Sequence, residues 1–171
     1  LLRVDPDPTC QDYSTNTTVG PFLTTEWGQD CGYNALCPTN TSGFRCGHFP
    51  TGCVATAMAQ VMRYWQTPAA TYNWASMPNT FADNEVARLM RDAGSSVNMN
   101  YNDNGSGAKH EDIPPAMINT FGFSSSQNIN YGTGSYSTVQ SELSSSRPVI
   151  LSGYNTSNTS WFGLVVEYQE G

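Results

Sequence analysis

A length of 171 residues suits a single domain with a sizeable core, and 12% aromatic residues give that core enough to bury to argue against disorder. Seven basic against 14 acidic residues leave a net charge of −7 with no basic cluster, which excludes a phosphate-neutralising nucleic-acid surface and disfavours an anionic membrane. Charged residues are only 12% of the chain and Ser, Thr, Asn and Gly are abundant, a balance common in exported proteins, and no apolar run approaches a membrane span.

Leu1 to Asp7 lacks the basic start and long apolar core of a signal peptide, so any leader and pro-segment of an exported form are expected to have been removed. Residues 1–18, with Pro6, Pro8 and the polar run Ser14 to Thr18, read as an extended N-terminal arm, and 19–171 as the folded domain. Phe22, Leu23 and Trp27 supply the first apolar anchors. A long loop rich in Gly, Asn, Cys and Pro then runs to Pro50. Cysteines stand at 10, 31, 37, 46 and 53. In an oxidising compartment four of them can pair and leave one free thiol, expected to be Cys53; how Cys10, Cys31, Cys37 and Cys46 pair is not deducible from the spacing. No Cys-x-x-Cys pair supports a zinc site.

Cys53 to Trp65 is the clearest helix, with Val54, Ala57, Met58, Val61, Met62 and Trp65 at helical spacing, Thr51 or Gly52 near the N-cap, and Pro68 beyond its end. A second helix is predicted from Asp83 to Ala93, with Gly94 as its C-cap. A third should start at Pro114 and run to about Thr120, before Gly122. A short fourth spans Thr138 to Ser144. Pro148 to Ser152 and Trp161 to Tyr168 read as strands joined by a turn-like Asn155 to Ser160. Helices first and strands last imply an α+β domain in two halves. Trp27, Trp65 and Trp74 are read as core packing rather than a carbohydrate platform.

Chemistry concentrates at Gly52-Cys53. A thiol in the first turn of a buried helix meets unpaired N–H groups and the positive end of the helix dipole, which favour the nucleophilic thiolate. The backbone N–H of Cys53 can donate to a developing oxyanion, and Gly52 lets a substrate carbonyl approach the backbone. A buried or disulfide-bonded cysteine is the competing reading of this position taken alone. Gln29 is a possible second oxyanion donor. Asn102-Asp103-Asn104-Gly105 alternates oxygen ligands as a calcium loop does, but lacks the distal glutamate of a complete one. No metal or cofactor is expected.

Four stretches carry a family likeness: Pro21-Phe22-Leu23-Thr24-Thr25-Glu26-Trp27-Gly28-Gln29, then Tyr33-Asn34, then Cys37-Pro38, then Thr51-Gly52-Cys53 onward through Trp65. With Tyr72-Asn73-Trp74, Met99-Asn100-Tyr101, Gly105-Ser106-Gly107-Ala108, Phe121-Gly122-Phe123 and Arg147-Pro148-Val149, the sequence resembles the streptopain family of bacterial cysteine peptidases from Val19 onward. The resemblance implies a papain-like fold, export as a zymogen and endopeptidase activity on protein or peptide substrates. It carries the nucleophile onto Cys53 and the oxyanion glutamine onto Gln29. It also places Gly105 to Ala108 in a loop near the substrate cleft, so that Gly105, Ser106 and Gly107 join Gly52 as the expected substrate-binding residues.

The family's catalytic histidine lies in a Gly-His-Ala segment opening a strand of the second half. The sequence ends at Gly171 without it, so the sheet half is expected to be incomplete at the C-terminus. His48, within Cys46-Gly47-His48-Phe49-Pro50, reads as a structural loop residue, and His110 as a solvent-exposed one. Three explanations compete: a C-terminal remainder of the same protein, following on or as a separate chain; a truncated relative; or a base from a partner chain. The expected function is that of a secreted cysteine endopeptidase working by a Cys–His mechanism through an acyl-enzyme. The alternative is an inactive or truncated homologue serving as a secreted binding or adhesion module, with Asn-x-Ser/Thr triplets at Asn16, Asn40, Asn104, Asn155 and Asn158 fitting an exported surface.

Overall fold

The computed structural model describes residues 19–130, 135–155 and 158–166, and from 153 onward its backbone alone. The arm at 1–18 and the end of the second predicted strand, Tyr168 included, lie outside the described residues. The described chain is mixed, with more helix than strand. Its helices are α1 (Cys53–Trp65), α2 (Asn84–Ser96), α3 (Ile113–Pro115) and α4 (Ser135–Ser144), and its strands β1 (Val149–Asn155) and β2 (Asn158–Val166). The two strands pair antiparallel, Val149 opposite Val166 and Tyr154 opposite Trp161, with an irregularity after Tyr154. No described helix is long and apolar enough to cross a membrane.

The core forms where α1 packs on α2. In α1, Val54 to Ala59, Val61 and Met62 are all buried, so the helix is covered on nearly every side for its first three turns. Met58, Met62, Leu89 and Met90 are among the largest fully buried side chains, each worth about 1.5–3 kcal/mol of apolar burial. Trp27 and Trp74 join this core, each donating its indole N–H to a carbonyl, Pro78 O at 2.8 Å and Pro68 O at 3.2 Å. Trp65 does not. It is the last residue of α1, before the left-handed C-cap Gln66, at 44% exposure and edge-on to Tyr64.

The predicted α2 keeps its start. Asp83 is the N-cap and accepts the Val86 N–H at 2.8 Å. Its end moves, because Gly94 lies inside the helix and the last helical residue is Ser96. Gly94 is there for space: a Cβ on it would lie 2.4 Å from the Tyr101 hydroxyl. The third helical segment starts before Pro114, with a 3₁₀ turn at His110–Asp112, continues through α3 and closes in a π-helical turn over Ala116–Thr120. There the Phe121 N–H reaches back to Ala116 O at 3.2 Å. The fourth helix starts earlier than Thr138, at Ser135, and the turn between the strands is shorter than Asn155 to Ser160.

The loop after α1 is tied to α2 by side chains. Tyr72 donates its hydroxyl to Asp92 (2.8 Å) and lies under the Arg88 guanidinium (4.5 Å). Burial and then the Asp92 carboxylate push the Tyr72 phenol far above its ordinary range. Glu85 accepts from Arg88 (2.7 Å) and from the Asn73 N–H (2.9 Å), and these two donors, Arg88 first, hold its carboxyl below the usual carboxylate range. A depressed folded-state pKa contributes stability above the unfolded value, about 4.3, and loses it as pH falls through the folded value. Glu85→Gln is therefore expected to lower the melting temperature at pH 7, with the difference closing below about pH 4. A difference that persists unchanged at pH 3 would contradict this origin.

Candidate active site

The site is built on the corner Thr51-Gly52-Cys53. Gly52 is the N-cap of α1 at φ 87° and ψ 144°, a conformation open to glycine and costly for any other residue. Space makes the same demand. A Cβ at Gly52 would meet Met99 Sδ at 2.7 Å, Met99 Cε at 2.8 Å and Ser106 O at 2.9 Å. The corner is thus pressed onto Met99 and onto the loop through Gly105, Ser106 and Gly107. Cys53 follows as the first residue of α1, half-buried, with a free thiol. The first-turn N–H groups of a helix have no intrahelical acceptor, and Gly52 has no side chain with which to cap them.

Gln29 is brought to this corner through the backbone. The Thr51 N–H donates to Gln29 O at 3.0 Å. The segment leading to Gln29 is held by the Glu26 N–H to Asn79 O (2.7 Å) and by the Thr25 hydroxyl to Gln60 Oε1 (2.9 Å) on α1. Gln29 itself is half-buried. On the opposite side, Gly107 and Asn100 exchange backbone hydrogen bonds at 2.8 and 3.1 Å. Ser106 is buried, its hydroxyl 3.4 Å from the Asn102 N–H. At Gly105 (φ 145°) and Gly107 an added Cβ would meet nothing within 4 Å. The loop therefore offers an open, side-chain-free backbone edge beside Gly52.

Between Gln29 and Thr51 the chain folds back on itself. A disulfide joins Cys31 to Cys46, and Arg45 pairs with Asp30. Asn34, fully buried, donates to Arg45 O (2.9 Å) and His48 O (3.2 Å). The expected two disulfides are corrected here. Cys37 is a free thiol in the core, and burial, only partly offset by Tyr101 and Arg91, pushes it up. Tyr101 and Arg91 are the groups that act on its thiol; Cys10 lies outside the described residues.

The histidines lie in the places their loops dictate. His48 Nδ1 is 2.7 Å from Cys37 O; a carbonyl only accepts, so Nδ1 carries a proton there. His110 is partly covered rather than fully exposed and stands 3.3 Å from Glu111. In the calcium-like stretch, Asn102 Oδ1 accepts the Asn104 N–H (2.9 Å), so that oxygen closes a local turn. A cavity of about 260 Å³ between Ser96, Asn98, Asp112, Pro115, Asn119 and Thr120 lies at the C-terminal end of α2, and Cys53 is not among its lining residues.

Sequence reasoning missed three residues around the corner: Thr56, Met99 as a wall, and the buried side chain of Thr51. Thr51 Oγ1 and Thr56 Oγ1 are 2.9 Å apart, and Thr56 Oγ1 donates to Gly52 O at 3.1 Å. The one local signal was a threonine four residues after the glycine, the spacing at which a helical hydroxyl reaches back to a carbonyl.

Comparison with known proteins places these features in context. The Peptidase C10 family profile matches residues 27–71 and 69–164. The chain is similar to the thiol protease/hemagglutinin PrtT of Porphyromonas gingivalis, 31% identical over 163 residues, covering 74% of this chain and 18% of that protein. It is also similar to streptopain of Streptococcus pyogenes serotype M1, 27% identical over 168 residues, covering 71% of this chain and 42% of that protein. The chain thus spans less than half the length of the curated relatives it matches.

Proposed function

Since the chain belongs to the Peptidase C10 family, that of streptopain, we propose that residues 19–171 are the nucleophile-bearing part of a papain-like, exported bacterial cysteine endopeptidase acting on protein or peptide substrates. The observation that carries this reading is the Gly52-Cys53 corner: a free thiol on the first residue of a buried helix, no side-chain cap on its N–H groups, and the Gln29 carbonyl tied to the Thr51 N–H.

In this mechanism the Cys53 sulfur bonds to the scissile carbonyl carbon as a histidine takes the thiol proton. The carbonyl electrons move onto oxygen, which the Cys53 N–H and the Gln29 side-chain amide receive. Collapse of the tetrahedral intermediate breaks the C–N bond. The imidazolium protonates the departing amine, leaving a thioester that water hydrolyses. The base is assigned to neither His48, whose Nδ1–H serves the Cys37 carbonyl, nor His110, beside Glu111. The backbone edge of Gly105, Ser106 and Gly107, with Gly52, would hold the substrate chain. No cofactor enters the reaction.

Iodoacetamide treatment of the full-length protein, read by peptide mass spectrometry and casein cleavage, tests this. Alkylation at Cys53 rather than Cys37, with loss of cleavage in parallel, is the expected result. Cleavage that survives full Cys53 alkylation, or survives Cys53→Ala, would overturn it. Protein binding without any hydrolysis would favour an inactive scaffold serving as an adhesion module.

A further inference from the structure

We propose that Thr56, backed by Thr51, is a positioning residue that clamps the Gly52–Cys53 peptide and so aims the Cys53 N–H at the oxyanion; this rests on the peptidase reading above. Gly52 O and the Cys53 N–H belong to one planar peptide unit, so whatever fixes the oxygen fixes the direction of the N–H. Gly52 O receives two hydrogen bonds from one residue, the Thr56 N–H at 3.1 Å and the Thr56 hydroxyl at 3.1 Å. A helix start ordinarily provides the first of these alone.

Counting protons sets the direction of the rest. Each hydroxyl has one proton to give. The Thr56 proton goes to Gly52 O, so the 2.9 Å contact between the two hydroxyls is a hydrogen bond only if Thr51 donates to Thr56. The relay therefore runs from Thr51 to Thr56 to Gly52 O. Thr51 is fully buried and Thr56 is 7% exposed, so water does not compete for these protons. Thr51 also sends its backbone N–H to Gln29 O, and one residue thereby joins both proposed oxyanion donors. A clamp is needed because Gly52 at φ 87° has no side chain to restrain its own peptide plane.

Thr56→Val keeps the shape and removes the hydroxyl, and Thr56→Ser keeps the hydroxyl. In the full-length protein, kcat and KM on a peptide amide are measured beside the rate of Cys53 alkylation by iodoacetamide. Alkylation develops no carbonyl oxyanion, so a merely structural role would move both rates together. Thr56→Val is expected to lower kcat about tenfold, less than outright loss of an oxyanion donor, with KM and the alkylation rate within about twofold of wild type. Thr56→Ser is expected to restore kcat to within about twofold. An unchanged kcat in Thr56→Val, alkylation falling in step with kcat, or a serine variant no better than valine overturns the proposal while leaving the peptidase reading intact. If Thr56→Val does not fold, Thr51→Val, which removes the outer donor alone, must show the same split between kcat and alkylation or the relay is refuted. A wild-type protein that neither cleaves nor alkylates at Cys53 brings down the peptidase reading, and the relay with it.

Discussion

Gly52→Ala is expected to destabilise the fold by about 3 kcal/mol, from backbone strain of about 1–2 kcal/mol and overpacking of about 1–3 kcal/mol. For a domain of this size that is a fall of roughly 6–12 °C in melting temperature, and cleavage should be lost with it. The two contributions separate cleanly. At φ 87° a side chain is strained whatever surrounds it. The Met99 thioether, at 2.7 Å from the added carbon, is the far end of a flexible side chain and can shift, but Ser106 O, at 2.9 Å, is backbone and cannot move without dragging the loop. Adding Met99→Ala should therefore recover no more than part of the loss. Gly107→Ala is the control: its added Cβ meets nothing within 4 Å, so stability should stay within about 0.5 kcal/mol of wild type. Differential scanning fluorimetry of the three variants decides the matter. A Gly52→Ala protein as stable as the Gly107→Ala protein would show that the corner is not under the constraint described.

This constraint also shows where the sequence was legible and where it was not. The α1 span was readable to the residue, Cys53 to Trp65, because its apolar spacing is a local signal and Gly52 precedes it. Yet the same spacing assigned Trp65 to the core, since periodicity does not say how far along a helix burial extends. Gly94 read as a helix stop because glycine usually serves as one; its true demand comes from Tyr101, which local pattern cannot see. Pro114 read as a helix start, whereas the chain begins turning at His110 and absorbs both prolines within the early turns. At the site, helix chemistry made Gly52 and Cys53 candidates, but a buried or disulfide-bonded cysteine competed until the family likeness was added. Gln29 and the Gly105 to Gly107 loop came from family likeness, because their proximity depends on two long-range contacts, Thr51 N to Gln29 O and the Gly52 corner against Ser106. Disulfide pairing was undetermined by spacing, and burial of Cys37 removed one of the four expected partners.

Removing the Cys31–Cys46 disulfide, as the Cys31→Ser/Cys46→Ser double variant, is expected to cost about 3 kcal/mol, the loop-closure value for a ring of about 15 residues. The double variant leaves no new partner for Cys37. The cost should fall on the site as well as on stability. The ring lies wholly between Gln29 and Thr51, and Thr51 N to Gln29 O is the hydrogen bond at its mouth. Asn34 holds the same loop from inside through Arg45 O and His48 O, and two hydrogen bonds of about 1 kcal/mol each do not replace a covalent closure. Once the closure is gone, Gln29 is held less firmly relative to Cys53, while the head of α1, packed on Met99 and Ser106, is not. Peptide hydrolysis should therefore fall more than Cys53 alkylation does. On the proposed peptidase reading, the wild-type protein should respond in opposite ways to thiol reagents: mild reductant keeps Cys53 reduced, and strong reductant that opens Cys31–Cys46 lowers kcat. Thermal denaturation and paired hydrolysis and alkylation rates check both claims. A double variant with wild-type melting temperature and wild-type kcat would show that Asn34 and the Arg45–Asp30 pair hold the loop without the disulfide.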